Sequence, residues 1–341
     1  MEKQEQYRSL LQRKLHALHT RLSPMHEKYV QVESELGKKR SGDYGESSIG
    51  YYLSHINRSN RCQMIRGARL LLGHYYFQMD MLLLFPSFFI LLETKHLTGT
   101  LHFDPDYQQL IQIKKEENKE ISRQDPILQV KMQYNRFKSW LSQHNVEGYP
   151  GYYFVVITNQ NAIVKAISNP SLIQEYVIRN PALTFKLENV IAKHQPIISG
   201  SHSSHEIFTL IINNHSPKNE DILKEYHINS MEINTGVACP VCEKLAMERE
   251  LRGWKCPFCR HFSKDAHIQA LVDYFLLIDT YITIREVCRF LRIDNVRTAR
   301  RIIKNLSLEK TGSTSNTKYC LKSLWKQQNA PHNENGVRIL P

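Results

Sequence analysis

Two Cys-Pro-x-Cys turns restrict the fold of this chain more than any other feature. Cys239 and Cys242 form the first turn, Cys256 and Cys259 form the second, and thirteen residues separate them. Paired Cys-x-x-Cys turns at this separation are typical of a zinc site, and four thiolates make a closed tetrahedral Zn²⁺ site of the structural kind. We therefore predict a zinc ribbon over residues 237–262. Two roles stay open for it, a structural or docking element and direct contact with nucleic acid.

The segment after the ribbon, residues 266–325, has the pattern of helix, helix, turn, helix and then a polar hairpin. Thr283 and Glu286 form a capping box at the start of the second helix. The third helix carries apolar residues on one face, and its other face carries four cations, Arg297, Arg300, Arg301 and Lys304. The order of elements resembles a winged helix-turn-helix, with the third helix as the recognition element. The alternative is a small helical domain whose basic face is only solvated.

Charge is concentrated near the C-terminus. The chain has 45 Lys and Arg against 33 Asp and Glu, a net charge of +12, and residues 236–341 hold 18 of those cations against 10 of the acids. A concentrated basic region is typical of a partner that is a polyanion, usually nucleic acid. We expect DNA in preference to RNA.

The sequence excludes two classes of protein. The most apolar run, residues 79–92, contains Asp80 and Pro86 and is shorter than the roughly 20 residues of a membrane-spanning helix. The first residues are charged and do not form a secretory signal. We expect a cytoplasmic protein without membrane contact, and a homodimer is one possible assembly.

The chain divides into five predicted parts. Residues 1–40 are a helical segment that Pro24 interrupts, and the polar, Gly-rich run 37–46 marks its boundary. An α/β domain follows over 41–235, with its core at 41–165. The ribbon and the helical segment come next, and 327–341 is a polar tail that we expect to be frayed.

Alternating helix and strand patterns predict the architecture of the α/β domain, a mixed sheet flanked by helices. Asp125 and Pro126 mark the start of a helix over 126–143. The strand predictions are 62–71 with a turn near Gly67, a hairpin of 77–85 and 88–92, 100–103, and 152–157.

Charged residues within the apolar hairpin are the candidate active site. Glu93 and Lys95 are two apart on a strand and so point to one face, and the hairpin places Asp80 opposite or diagonal to them. Two carboxylates supply the hard oxygen ligands that Mg²⁺ prefers, and the ammonium can offset charge that develops at phosphorus. This set suits phosphodiester hydrolysis. The alternative is a set of strand-end residues paired with one another.

The order of these motifs resembles a known family. Tyr44-Gly45-Glu46 opening a helix, Gln78-Met79-Asp80, Leu92-Glu93-Thr94-Lys95 with Gly99 beyond, and Asp125-Pro126-Ile127-Leu128-Gln129 are similar to the nuclease-related domain, a branch of the PD-(D/E)xK endonuclease-like superfamily. The resemblance covers about residues 40–165 and implies a restriction-endonuclease-like fold.

The resemblance also implies roles for individual residues. Glu46 is then a helix-borne acid near the metal, Asp80 and Glu93 are ligands of Mg²⁺ or Mn²⁺, Lys95 is the catalytic lysine, and Gln129 is a polar residue of the site. The chain departs from the family at His96 and Asp125, where Asn is usual.

Two hypotheses follow. The first is a metal-dependent nuclease whose ribbon and winged-helix segment bind nucleic acid. The second is a non-catalytic DNA-binding or regulatory protein that uses a nuclease-like scaffold.

Overall fold

A computed structural model describes residues 9–60, 62–114, 119–194, 203–313, 317–329 and 338–340. Two compact units divide the chain. The first, which we call the sheet unit, contains the described residues of 41–218 and the strand 338–340. The second, which we call the ribbon unit, contains those of 9–40 and 219–329.

The helices of the sheet unit are the second part of α2 (Tyr29–Asn60), α3 (Pro126–Gln143), α4 (Pro170–Tyr176), α5 (Asn180–Lys193) and α6 (Ser204–Asn214). Its strands are β1 (Gln63–Leu72), β2 (Tyr75–Leu84), β3 (Phe89–Lys95), β4 (Thr100–Asp104), β5 (Gln109–Lys114), β6 (Lys119–Gln124), β7 (Gly151–Ile157), β8 (Ile163–Ala166), β9 (Val177–Arg179) and β16 (Arg338–Leu340).

A six-stranded mixed sheet forms the centre of this unit, in the order β16-β1-β2-β3-β7-β9. Strands β1, β2 and β3 are antiparallel neighbours, whereas β3, β7 and β9 run parallel. The predicted hairpin is confirmed, since Leu84 pairs with Phe89 across the Pro86 turn. The mixed α/β architecture predicted from the sequence is confirmed as well.

Helices cover both faces of the sheet, because strand residues alternate between two cores. One core joins α3 and α6 to residues such as Leu91 and Val155. The other joins α2 and α5 to the next residues along the same strands, such as Leu92 and Val156. Glu93 and Lys95 follow Leu91 by two and four positions, and this spacing places them on the α3 side.

Strand β4 does not join the main sheet. The sequence predicts a strand at 100–103, and the strand is present, but it belongs to a separate four-stranded sheet of order β6-β5-β4-β8. At Gly99 the φ angle is +82°, and a Cβ there would lie 2.2 Å from the carbonyl oxygen of Ile113. Only glycine fits this close approach, so Gly99 marks the point where the chain leaves one sheet for the other.

The ribbon unit contains α1 (Leu10–Arg21), the first part of α2, α7 (Ile222–Glu225), α8 (Ala266–Leu277), α9 (Ile284–Leu291), α10 (Val296–Asn305) and α11 (Lys322–Asn329). Its strands are β10 (Glu248–Arg249), β11 (Trp254–Lys255), β12 (Phe262–Ser263), β13 (Tyr281–Thr283), β14 (Lys310–Thr311) and β15 (Lys318–Cys320). They form two small sheets of three strands, β10-β11-β12 and β13-β15-β14.

The N-terminal helix packs into the core of the ribbon unit. Leu15 and Leu18 of α1 share one buried cluster with Trp254 of the ribbon and Leu271 of α8. Arg21 at the end of α1 is fully buried, and its Nε donates to Asp273 Oδ2 at 2.9 Å. The sequence left the partner of the N-terminal segment open, and the structure assigns α1 to this core.

Three expectations need correction. Residues 37–46 are helical within α2, so Tyr44-Gly45-Glu46 lies in the middle of a helix and does not open one. Gly67 has a φ of +65° yet does not end its strand, because β1 continues to Leu72. The tail is not wholly frayed, since 327–329 end α11 and 338–340 pair with β1. Residues 330–337 and 341, and residues 3–8 of the predicted N-terminal helix, lie outside the described part.

Candidate active site and zinc centre

Asp80 lies where the alternation of buried side chains along β2 shifts by one residue. In β2, Phe77, Met79, Leu82 and Leu84 all contribute to the α3-side core, so the pattern shifts by one residue between Met79 and Leu82. The pairing of β1 with β2 is interrupted here: Gly67, with its positive φ, and Asp80 both lie between the pairs Arg66–Met81 and Ala68–Met79. The pairing of β2 with β3 ends at Met81 and Leu92. Just beyond it, Asp80 Oδ2 accepts the backbone N–H of Thr94 at 3.0 Å, so the carboxylate is fixed where the two strands separate.

Glu93 and Lys95 lie on one face of β3, as their spacing predicts, and they form an ion pair there. Lys95 Nζ lies 2.5 Å from Glu93 Oε1. The carboxylate is buried, with only 1% of Glu93 exposed, whereas the lysine is partly exposed. The ion pair therefore joins a buried carboxylate to a lysine that is partly exposed to solvent.

Helix α3 supplies two amides to this pair. Its start is fixed as predicted, since Asp125 Oδ1 accepts the backbone N–H of Ile127 at 2.8 Å. Gln129 Oε1 accepts from Lys95 Nζ at 3.0 Å. Gln133 Nε2 donates to Glu93 Oε2 at 2.8 Å.

Gln133 was missed by the sequence reasoning. It is buried, and it follows Gln129 by four residues, the spacing that places two side chains on the same helix face. The Gln-x-x-x-Gln spacing is the signal that could have identified it.

Burial is the main reason why the pKa of Glu93 rises from its ordinary value to about 7, and the nearby charge of Asp80 adds to the rise. Lys95 and the two hydrogen bonds from Lys95 and Gln133 act in the opposite direction. The neighbouring lysine and hydrogen bonds thus only partly offset the cost of burying the negative charge of Glu93. A cation beside it would favour its ionised form.

Glu46 lies on α2, on the other side of the sheet from α3. Its neighbours pack on the ends of β3 and β7: the rings of Tyr44 and His96 are 5.2 Å apart, and a Cβ on Gly45 would lie 2.6 Å from His96 Cβ. His96 Nδ1 is 2.9 Å from Thr158 Oγ1, and burial lowers the pKa of His96. Glycine at position 45 therefore permits the close approach of α2 to the ends of these strands.

The donor set around Asp80 and Glu93 fits a divalent cation of the Mg²⁺ kind. Both groups are carboxylates, and each raises the negative potential at the other. In the described residues, however, the one group of three or more His, Cys, Asp or Glu side chains with converging ligand atoms is the cysteine quartet. Glu46 is not brought into a three-ligand cluster with the two acids.

The four predicted zinc ligands converge in the ribbon. All four Sγ atoms lie within 4.8 Å of one another, and the pairs Cys239–Cys259 and Cys242–Cys256 are 3.5 Å apart. Tetrahedral Zn²⁺ with Zn–S bonds of about 2.3 Å requires S–S separations of about 3.8 Å. The quartet therefore fits a closed zinc site.

The two turns that carry these cysteines have the same backbone geometry. Glu243 and Arg260 each follow the second cysteine of a turn, have φ near +60°, and donate their N–H to the carbonyl of the first cysteine at 2.9 Å. Non-glycine residues adopt this conformation at a cost. The two turns therefore present their cysteines in the same local geometry.

Helix α10 presents the predicted basic face. Its buried residues are Ala299, Ile302 and Ile303. The four cations named above are all exposed. The capping box at Thr283 and Glu286 is also present, so α9 starts as predicted.

One known protein family matches the part of the chain that holds the candidate active site. Residues 41–158 match the family described as the nuclease-related domain. All five candidate residues of the active site, Glu46, Asp80, Glu93, Lys95 and Gln129, lie within that range. The match supports a nuclease-like function and a nucleic-acid substrate. No curated protein and no solved structure matches the chain. Among the described residues, no helix is both long enough and apolar enough to cross a membrane.

Proposed function

We propose that the protein is a metal-dependent nuclease that hydrolyses phosphodiester bonds, with DNA as the favoured substrate. The observation that carries the proposal is the position of Lys95. Its ammonium donates to Glu93 Oε1 and to Gln129 Oε1. Lys95 lies on β3, and the backbone N–H of the preceding residue, Thr94, donates to Asp80. A lysine fixed by two acceptors beside a carboxylate pair is suited to a phosphate that gains negative charge in the transition state.

Each residue then has a distinct task. Asp80 and Glu93 hold Mg²⁺ or Mn²⁺, which when bound polarises the phosphoryl oxygen and favours formation of the attacking hydroxide. Lys95 orients the attacking water or stabilises the developing charge. Gln129 positions the ammonium, and Gln133 positions the buried carboxylate. The family resemblance implies that Glu46 is a further acid near the metal, but because it does not converge with Asp80 and Glu93 we assign it no metal contact.

We assign nucleic-acid binding to the ribbon unit. Its elements follow the order α8-β13-α9-α10-β14-β15, and β15 pairs with both β13 and β14. This connectivity supports a winged helix-turn-helix with α10 as its recognition helix. Arg297, Arg300, Arg301 and Lys304 then contact phosphates, which fix the position on the duplex without reading sequence. The turn of the hairpin, residues 314–316, lies outside the described residues.

Cleavage assays test the catalytic proposal. The full-length protein is incubated with single-stranded and duplex DNA and RNA, with Mg²⁺ or Mn²⁺. We expect metal-dependent cutting that falls at least about 100-fold in Lys95→Ala and in Asp80→Asn. Lys131→Ala on the exposed face of α3 and Asp106→Asn in an exposed turn are matched controls that should retain activity.

A non-catalytic DNA-binding protein is the second candidate. The observation that favours it is that, among the described residues, no third carboxylate converges on Asp80 and Glu93. This candidate predicts binding that weakens steeply with salt, without cleavage under any metal. Cutting that persists in Lys95→Ala would instead refute the assigned site.

A further inference from the structure

A cleft of about 650 Å³ opens between the zinc ribbon and the turn that joins α9 to α10, both within the ribbon unit. One wall is formed by residues 245–249, with Pro257 and Phe258 of the second cysteine turn. The other is formed by residues 292–295 and Thr298 of α10. We call it the ribbon–turn cleft. Its size is within the usual range for small-molecule sites, and it is far too small for a duplex.

Each wall of the cleft carries one arginine, Arg249 on the first wall and Arg292 on the second. Arg249 Nη1 donates to the carbonyl of Gly253 at 2.8 Å, which fixes the guanidinium, and its buried Nε has no hydrogen-bond partner. On the other wall, Arg292 Nε donates to Thr235 Oγ1 at 3.1 Å. Within the described ranges, no carboxylate forms an ion pair with either side chain.

A third arginine, Arg301 of α10, acts on Arg249 through its charge. Burial lowers the pKa of Arg249, and the positive charge of Arg301 lowers it further. The positive charges of two arginines from different elements thus act on each other, and no described carboxylate forms an ion pair with Arg249. Glu248 and Asp294 also line the cleft, but both are exposed and neither pairs with these arginines. Such an arrangement favours an anion.

The rest of the cleft is apolar and aromatic. Val237, Met247 and Ile293 line it and are buried. Phe258 stands at the cleft with 61% of its surface exposed, and Lys244 Nζ lies 3.9 Å from its ring centroid. An exposed ring beside cations is the combination that binds a nucleotide, because the base stacks and the phosphate pairs.

We propose that the ribbon–turn cleft binds an unpaired nucleotide, with its base on Phe258 and its phosphate at Arg249 and Arg292. The inference rests on the proposed nucleic-acid binding of the ribbon unit and specifies its substrate class: a strand with unpaired bases, either alone or as a tail on a duplex. Bases within a duplex are already stacked and cannot offer a face to Phe258.

The test measures binding by fluorescence anisotropy with the zinc-loaded full-length protein, without added Mg²⁺ or Mn²⁺ so that the probe stays intact. The probes are a labelled 12-nucleotide DNA strand, a blunt duplex, and that duplex with a single-stranded tail. Phe258→Ala is compared with Phe262→Ala, an exposed aromatic of the same ribbon outside the cleft. Arg292→Gln is compared with Arg252→Gln, an exposed arginine outside the cleft.

We expect Phe258→Ala to weaken binding of the single strand and the tailed duplex by about 5- to 100-fold, with binding of the blunt duplex changed less than about twofold. Arg292→Gln should weaken the same two probes and reduce the slope of log K against log salt by about 0.7. Both control variants should bind as the unaltered protein does. Zinc content and thermal unfolding confirm that each variant is folded.

Two results would overturn the inference. If Phe258→Ala and Phe262→Ala affect single strands equally, the cleft is not the site. If the blunt duplex binds as tightly as the tailed one, and is cleaved once Mg²⁺ is added in a separate assay, the cleft proposal fails while the proposed nuclease function stands. Absence of binding to all three probes would refute nucleic-acid binding by the ribbon unit together with the cleft.

Discussion

The buried carboxylate of Glu93 makes the stability of the sheet unit depend on pH in a predictable direction. The folded protein raises the pKa of this group from 4.5 to about 7, first by burial and then through Asp80. A folded state with the higher pKa binds the proton more tightly than the unfolded chain does. The free energy of unfolding therefore falls as pH rises from about 4.5 to about 7 and is unaffected by this group above that range.

The size of the effect follows from the pKa difference. Each pKa unit corresponds to about 1.4 kcal/mol, which gives about 3 kcal/mol over the whole range. Most of this change falls between pH 5 and pH 8. Because Glu93 is almost fully buried, solvent screening reduces the value little.

Glu93→Gln removes the titration while keeping the shape of the side chain. The amide oxygen can still accept from Lys95, and the Gln133 amide can turn to offer its Oε1, which has no hydrogen-bond partner. We expect the variant to lose about 2–3 kcal/mol of the pH dependence that the unaltered protein shows between pH 5 and pH 8. Its stability relative to the unaltered protein should be higher at pH 8 than at pH 5.

The assay must report on the sheet unit alone, because the two units need not unfold together. Urea unfolding followed by pulsed hydrogen exchange, read on peptides from β3 and α3, meets this requirement. The other titrating groups contribute equally to the pH dependence of unfolding in both proteins, so their contributions cancel when the variant is compared with the unaltered protein. Equal pH dependence in the two proteins would refute the argument that Glu93 is buried and poorly compensated.

Three further predictions concern local interactions. Arg21→Leu should lower the stability of the ribbon unit by about 3–5 kcal/mol, because it leaves the Asp273 charge buried and unpaired; thermal unfolding should show recovery when Asp273→Leu is added. Cys256→Ser should abolish stoichiometric zinc binding measured by a colorimetric chelator, whereas Cys62→Ser should retain it. Asp125→Ala should destabilise the sheet unit by about 0.5–2 kcal/mol and Asp125→Asn by only a few tenths in urea unfolding, because Asn still caps the helix; equal losses would contradict the capping role.

Several parts of the site were predictable because they depend on residues close together in sequence. The cap at Asp125 and Pro126 fixes the start of α3, and strand periodicity places Glu93 and Lys95 on one face. The spacing of the cysteine turns predicts a zinc site, and the four Sγ atoms converge as that site requires. In each case the deciding interactions span a few residues, so the pattern alone is sufficient.

Other features depend on which distant segments meet. Gln133 contacts Glu93 across 40 positions, and Arg21 contacts Asp273 across 252. Residues 37–46 are helical although their glycine content disfavours a helix. The hydrophobic contacts of Val32 and Leu36 before this stretch, and of Ile49 and Leu53 after it, outweigh that preference.

By itself, the sequence determined the local elements, the cysteine quartet and the placement of Glu93 and Lys95 on one strand face, because caps, turns and periodicity act over short distances. Only the tertiary structure decided that α1 belongs with the ribbon, that β4 leaves the main sheet, and that Arg249 and Arg292 face one cleft. These outcomes depend on which apolar faces bury each other, and many pairings of distant segments satisfy the same local pattern.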